Sequence, residues 1–474
     1  MSERIRADLC VIGAGSGGLA VAAGASQMGA DTVLIEKGRM GGDCLNYGCV
    51  PSKALLAAAR AAQSVRDAPR FGVDGAAPRV DFARVHGHVH DVIAGIAPHD
   101  SIERFRGLGV DVLQGAAAFV GPSEVAVGDR LIRARRFVVA TGSSPAIPPL
   151  PGLAEVDFLT NETVFDRVEL PPRLLAVGGG PIGLELAQAF RRLGSEVAVF
   201  EMARALAADD PEIAELVVTR LRREGIAIHE NARVVRVERS EGGVRVVAET
   251  ADGEIVDEGS DLLVAAGRAA NVDGLGLERA GIDYSPRGIR VDARLRTTNR
   301  RVFAIGDVAA RLQFTHVAAY QASVVLRNAL FPFKTRARHR NIPWVTYTDP
   351  ELAHVGLHEG LLDGSRRGLR VLRWPFAEND RAAADRDTDG LVKVVTGRRG
   401  RILGATIVGP HAGELIAPWV LALENNLGIG ALARAVAPYP TYGEVSKRAA
   451  GSYYTPSLFG PRMRKIVRWL SRLP

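Results

Sequence analysis

At 474 residues, 47% hydrophobic and 24% charged, the chain is long enough for about three domains, each with its own apolar core. No apolar run approaches the ~20 residues needed to cross a bilayer, and three cysteines are too few for a disulfide-stapled scaffold. The net charge is +7, but arginines occur along the whole chain and no helix-turn-helix, zinc-finger or RNA-binding signature appears, which argues against nucleic acid as a partner.

The chain enters a strand almost at once, leaving no room for a signal peptide, so a cytoplasmic protein is expected. The apolar run at residues 7–12 leads into Gly13, Gly15 and Gly18, then a small-residue helix, then a second apolar run ending at Glu36. Strand, glycine turn, helix, strand and acid make a dinucleotide-binding fingerprint. The pattern recurs with Gly178, Gly180, Gly183 and Glu201, and from first glycine to acid the separation is 23 residues in both copies. One such turn is weak evidence, whereas two with correctly spaced acids point to two bound dinucleotides and to electron transfer between them. A proline-rich stretch, Ser144 to Gly152, reads as the linker between the two units. After residue 344 the texture changes: strands are expected at Val345–Val355, Leu369–Phe376, Gly390–Thr396 and Ile402–Gly409, with helical segments near 411–426 and 428–436. Strands followed by helices suggest a separate α+β domain.

Between the first fingerprint and the linker lies GGDCLNYGCVPSK, residues 41–53. Cys44 and Cys49 sit five positions apart across a turn, and Pro51 begins an alanine-rich helix. A thiol at a helix N-terminus meets the positive end of the macrodipole, which favours thiolate and nucleophilic sulfur chemistry. In a reducing compartment such a pair is more often catalytic than structural. Cys10, within the first apolar strand, reads as a small buried hydrophobe.

These motifs, in this order, resemble the class I pyridine nucleotide–disulfide oxidoreductases, a group that includes dihydrolipoamide dehydrogenase, glutathione reductase and mercuric reductase. The resemblance extends to Ala140-Thr141-Gly142, Gly267-Arg268 with Asn271, Ala304–Asp307, residues 347–357, and Pro440-Thr441 with Glu444. It implies an α/β fold: two Rossmann-like FAD/NAD(P)-binding domains and a C-terminal α+β dimerisation domain. The expected division is residues 1–150 with 273–344 for FAD, 151–272 for the nicotinamide cofactor, and 345–474 for homodimer closure. It also implies roles. Gly13, Gly15, Gly18 and Glu36 would hold FAD, with Lys37, Gly42, Ala117, Thr141, Gly142 and Asp307 completing its site. Thr315 and His316 would open a helix toward the flavin pyrimidine. Cys49 would be the charge-transfer thiol and Cys44 the one that exchanges with a small-molecule substrate, with Lys53 and Glu185 as an ion pair beside the reactive flavin nitrogen. Gly178, Gly180, Gly183, Glu201, Gly267 and Arg268 would serve the second cofactor. Glu201 suits a free ribose 2′-hydroxyl and would repel a 2′-phosphate, so NADH is expected over NADPH, although the nearby Arg204 could soften that repulsion.

The implied reaction runs from NAD(P)H to FAD, to the Cys44–Cys49 disulfide, and on to a disulfide or related electrophile. At one point the chain departs from the disulfide-reductase members: Tyr439 stands where they carry a histidine, which a glutamate (here Glu444) orients and the partner subunit donates. Tyrosine, with pKa ~10, would need about 4 kcal/mol to act as a base at neutral pH, so oxidation of a dithiol is poorly served. Donation of a hydrogen bond to a departing thiolate is still open to it. Mercuric reductases share this tyrosine but pass metal through a cysteine pair near the C-terminus, and no cysteine follows Cys49. Metal-ion reduction is therefore an alternative, as is a membrane-surface redox partner serving a quinone or protein. That last idea comes from Arg462–Leu473, whose apolar residues follow a helical stripe with basic residues elsewhere. The simpler expectation is a helix packed on its own dimerisation domain. His86, His88 and His90 alternate, but on a helix His88 points away from the other two, and no metal site is expected.

Overall fold

The computed structural model describes residues 3–309, 312–361 and 368–473. The chain forms two compact units, one made of residues 1–202 with 232–338 and the other of residues 203–231 with 339–474.

In the first unit, β1 (Glu3–Ile12) lies between two parallel neighbours, β2 (Thr32–Glu36) and β6 (Arg130–Val139). Outside β2 runs β3 (Val110–Gln114), and beyond β6 the sheet continues antiparallel through β5 (Glu124–Val127) and β4 (Ala117–Gly121), with Val302–Ala304 also pairing with β6. Both faces of the parallel strands are covered, one by helices that include Thr315–Leu330 and the other by β4, β5 and the stretch 272–289, which is why the ends of β1 and β6 read as unbroken apolar runs rather than alternating ones. Phe119 and Phe137 meet edge-on in the core with centroids 5.4 Å apart, a contact worth about 0.5–1.5 kcal/mol beyond its burial.

The helix α1 (Ser16–Gln27) is rich in Gly and Ala because it lies close to the helix Thr315–Leu330: a Cβ on Gly17 would stand 3.2 Å from that of Ala318. A second parallel set centres on Arg173–Val177, flanked by Glu196–Phe200 and Asp261–Val264, with the helix Pro181–Leu193 after its glycine turn. An antiparallel meander, Arg233–Ser240, Gly243–Thr250 and Gly253–Gly259, completes this part. The proline-rich stretch is tied down: Ser143–Pro145 pairs antiparallel with Arg268–Ala270.

The second unit is built on a five-stranded antiparallel sheet in the order Trp344–Thr346, Glu351–Gly356, Ile402–Gly409, Leu391–Thr396, Arg370–Pro375. The strand expected over Val345–Val355 is two strands, because Pro350 has no N–H to give a ladder and the chain turns at 347–350. Trp419 is fully buried in the core, and its indole N–H donates to Ser446 Oγ at 3.0 Å. Residues 203–231 belong to this unit. Asp210, with no exposed surface, accepts from Lys393 Nζ at 2.8 Å, and the same ammonium pairs with Glu212 and Glu359.

The C-terminal helix, Pro461–Leu470, departs from expectation. None of its residues is buried, and Ile466, Val467, Trp469 and Leu470 are each about half exposed or more. Its apolar stripe is real but finds no cover within the chain's described residues. Among those residues no helix is long and apolar enough to cross a membrane.

Candidate active site

The two glycine turns are built alike, and each glycine meets a different demand. Gly13 and Gly178 have φ of +104° and +113°, and a Cβ on either would strike a backbone carbonyl, that of Ala140 or Ala265. Gly18 and Gly183 pack their helices against the turn, where a Cβ would run into the carbonyl oxygen of Gly13 or Gly178. Gly15 and Gly180 face open space, with nothing within 4 Å of a Cβ. That opening lies at the N-terminus of a helix whose first N–H groups have no partner in the helix, the place a pyrophosphate takes.

The acids match too. Glu36 Oε2 accepts the Ala14 N–H at 2.6 Å and Oε1 accepts the Gly38 N–H at 2.7 Å; Glu201 Oε2 accepts the Gly179 N–H at 2.7 Å. A carboxylate has about four lone-pair positions, so Glu36 keeps acceptor capacity for a ribose hydroxyl. The residues present therefore fit a dinucleotide in both places. Gly42 (φ +59°) closes on Gly15, and a Cβ there would lie 2.7 Å from the Gly15 Cα. Lys37 is exposed beside Glu36, and Ala117 is buried at the start of β4. Thr141 Oγ1 donates to the Asn271 carbonyl at 2.8 Å, Asn271 Nδ2 returns a bond to the Thr141 carbonyl at 3.0 Å, and Gly142 and Gly267 take positive φ.

The cysteine hairpin consists of α2 (Gly42–Asn46) and α3 (Cys49–Asp67). It is held to the first glycine turn by the Gly41 N–H, which donates to the Ala14 carbonyl at 3.0 Å. The helix begins two residues before Pro51, which makes Cys49 its first residue, where the macrodipole favours a negative sulfur. Cys49 Sγ is 3.3 Å from Thr315 Oγ1, at the start of the helix Thr315–Leu330. One turn into α3, Lys53 Nζ reaches Glu185 Oε2 at 2.7 Å. A hydrogen bond from Cys44, another from Thr315 and the charge of Lys53 together outweigh burial and bring the Cys49 thiol down to about 6. Cys44 moves the other way, because it holds the shared proton and is partly buried. Cys10 is buried in β1, which pushes its thiol up and leaves it inert. His316 stacks on Phe314 with centroids 5.2 Å apart.

A polar chain that the sequence did not reveal links the hairpin to the end of the first fold. Arg268 donates to Ser143 Oγ at 2.7 Å and pairs with Asp43, the neighbour of Cys44, at 3.1 Å. Ser143 Oγ in turn donates to Asp307 Oδ2 at 2.6 Å, and Asn161 Nδ2 donates to both Asp43 Oδ1 and the Tyr47 carbonyl at 3.1 Å. Burial raises the Asp307 carboxyl, with the Ser143 bond and Arg268 pulling against it. Position 43 inside the GGDCLNYGC run was the one available signal for this chain.

Tyr439 and Glu444 stand in the second unit. The Tyr439 side chain is exposed, and its hydroxyl donates to Asp380 Oδ2 at 3.0 Å, which raises its pKa further. Glu444 is the first residue of the helix Glu444–Ser452. His86 and His90 lie ring to ring at 4.2 Å, while His88 is exposed.

Residues 7–322 match the family described as pyridine nucleotide-disulphide oxidoreductase, and residues 342–450 match its dimerisation domain, which supports a homodimer. The chain is 37% identical over 454 residues to a mercuric reductase of Streptomyces lividans, covering 94% of this chain and 96% of that one. It is 38% identical over 461 residues to a dihydrolipoyl dehydrogenase of Thermus scotoductus, again 94% and 96%. Among solved structures, LpdA from Mycobacterium tuberculosis superposes with a TM-score of 0.86 at 28% identity, covering 95% of this chain and 99% of that one. The HOCl-induced flavoprotein disulfide reductase RclA from Escherichia coli gives 0.84 at 27%, covering 94% and 99%. Paired dinucleotide turns, a thiol pair at a helix start and these likenesses together place the chain in the pyridine nucleotide–disulfide oxidoreductase family, as a flavoprotein disulfide reductase using FAD and NAD(P)H.

Proposed function

We propose that the protein is a homodimeric, cytoplasmic NAD(P)H-dependent reductase of disulfides or related electrophiles, favouring NADH, with Cys44 and Cys49 as its redox pair. On this reading residues 1–150 with 273–344 bind FAD, 151–272 bind the nicotinamide cofactor even though their stretch 203–231 packs within the second compact unit, and 345–474 close the dimer. The observation that carries it is the setting of Cys49: first residue of a long helix, beside Thr315 and Lys53, with Cys44 as proton donor. When bound, the two cofactors supply hydride transfer.

The chain's own residues do the rest. Two electrons and one proton break the Cys44–Cys49 bond and leave Cys49 as thiolate and Cys44 as thiol. Cys44 gives up its proton as its sulfur attacks the substrate disulfide. The first substrate thiolate leaves and is protonated. Cys49 then attacks Cys44, re-forms the internal disulfide and expels the second thiolate, which takes a proton supplied from solvent. Tyr439 suits stabilising the departing thiolate by a hydrogen bond, its hydroxyl turning from Asp380 while the proton itself comes from Cys44 or solvent. Its hydroxyl stays protonated across the working range because it already donates to Asp380, which makes it a donor rather than a base. The preference for NADH is supported by Glu201, whose carboxylate sits at the second turn, while Arg204 donates to the Asp209 carbonyl.

The test compares directions in the flavin-loaded enzyme, using lipoamide, glutathione disulfide, Hg²⁺ and a quinone as acceptors and dihydrolipoamide as donor. Reduction of a disulfide with NADH should outrun dithiol oxidation at pH 7, and Tyr439→His should raise the oxidative rate on the order of 10²-fold. Equal rates in both directions for the unaltered protein would count against the proposal. Anaerobic titration should show a long-wavelength thiolate–flavin band at half reduction, and Cys49→Ser should abolish it.

A further inference from the structure

Of the 60 lysines and arginines, seven fall after residue 444, whereas all 53 acids lie at or before it. Residues 1–444 therefore hold 53 charges of each sign and are neutral, so the whole net charge of +7 resides in the last 30 residues. Five of the seven, Arg462, Arg464, Lys465, Arg468 and Arg472, lie on or directly after the C-terminal helix.

The same helix carries an apolar stripe at Met463, Ile466, Val467 and Leu470, the i, i+3, i+4, i+7 spacing of one face. Of these only Met463 is half-covered, and Trp469 (62% exposed) flanks the stripe, with Phe459 (67% exposed) just before the helix. The helix also lies beyond residue 450, where the match to the family's dimerisation domain ends.

We propose that this helix docks the enzyme on a bilayer surface bearing anionic headgroups, lying in the interface with its apolar stripe in the acyl boundary and its basic residues among the headgroups. Charge complementarity selects the partner. A segment with seven cations and no anion, attached to a neutral body, is drawn to a negative surface in a fixed orientation. The apolar stripe selects among negative surfaces. Nucleic acid would pair with the arginines and leave Trp469, Ile466 and Leu470 in water, whereas a lipid interface satisfies both faces. A second copy would bring a like-charged tail, and its other 444 residues, neutral in sum, offer the helix no net counter-charge.

The experiment is co-sedimentation of the flavin-loaded full chain with vesicles of phosphatidylcholine containing about a third phosphatidylserine, compared with phosphatidylcholine alone and with duplex DNA. The full chain should bind the anionic vesicles at least ~10-fold more tightly than the neutral ones, and raising salt from 0.15 M to about 1 M, where the screening length falls to ~3 Å, should release it. A chain ending at Gly460 should stay in solution as a dimer with unchanged NADH-dependent activity. The double variant Ile466→Asn with Leu470→Asn, which keeps every charge, should lose most of the vesicle binding. Equal partitioning of the full and shortened chains overturns the proposal. So does preference for DNA over vesicles, and so does a shortened chain that becomes monomeric while the full chain ignores lipid.

Discussion

Cys49 shows how much chemistry a single position can gather. Its thiol is brought to about 6 first by the proton that Cys44 shares with it, then by Thr315 and Lys53. The sign follows: the folded value is lowered, so the thiolate is present above about pH 6 and is lost as pH falls through it, while an ordinary thiol near 8.5 would still be protonated at pH 7. The long-wavelength band of the half-reduced holoenzyme should therefore persist from pH 9 down to about 6 and fade below. Replacing Lys53 with Met removes the nearest cation and should move that midpoint upward by about one pH unit, read by titrating the band. An unmoved midpoint would show that Cys44 alone sets the thiolate. The cysteines and Lys53 were legible in the sequence because thirteen consecutive residues contain them. Asp43, Ser143 and Asp380 were not, since their partners lie 225, 164 and 59 positions away and no periodicity connects such pairs.

At the scale of an element, the two glycine turns separate packing from binding. Gly18 is where α1 meets the carbonyl of Gly13, and Gly15 is where the turn opens outward. Gly18→Val should push the helix off its strand and yield protein that purifies without yellow colour and melts several degrees lower. Gly15→Ala has room for its methyl, so it should fold normally and lose only flavin affinity, on the order of tenfold, measured by retention of flavin on dialysis. If the two variants behaved alike, the division of labour would be wrong. Both turns could be read from sequence because strand, glycines, helix and acid are local and recur at one spacing. The start of α3 at Cys49 rather than Pro51, and the break at Pro350, could not, because an element's ends depend on capping and pairing partners elsewhere in the chain.

For the whole molecule, the α/β class and the α+β tail were visible in the order of apolar runs. The allegiance of residues 203–231 was not. It is settled by side chains far along the sequence, above all Lys393 holding the buried Asp210, 183 positions away. The C-terminal helix and its stripe were legible, but not the choice between packing on its own domain and lying exposed, because amphipathicity tells which face wants cover and not whether the chain provides it. The backbone thus passes from one compact unit to the other three times, near residues 202, 231 and 338. Neither unit is a continuous piece of sequence. A chain stopped at residue 338 would strand the Pro211–Arg223 helix without its sheet and leave Asp210 and Glu212 without their lysine. Such a fragment should come out insoluble even with flavin in the medium. Dissection of this protein into modules must therefore follow the fold rather than the gene, by excising the excursion and bridging its ends.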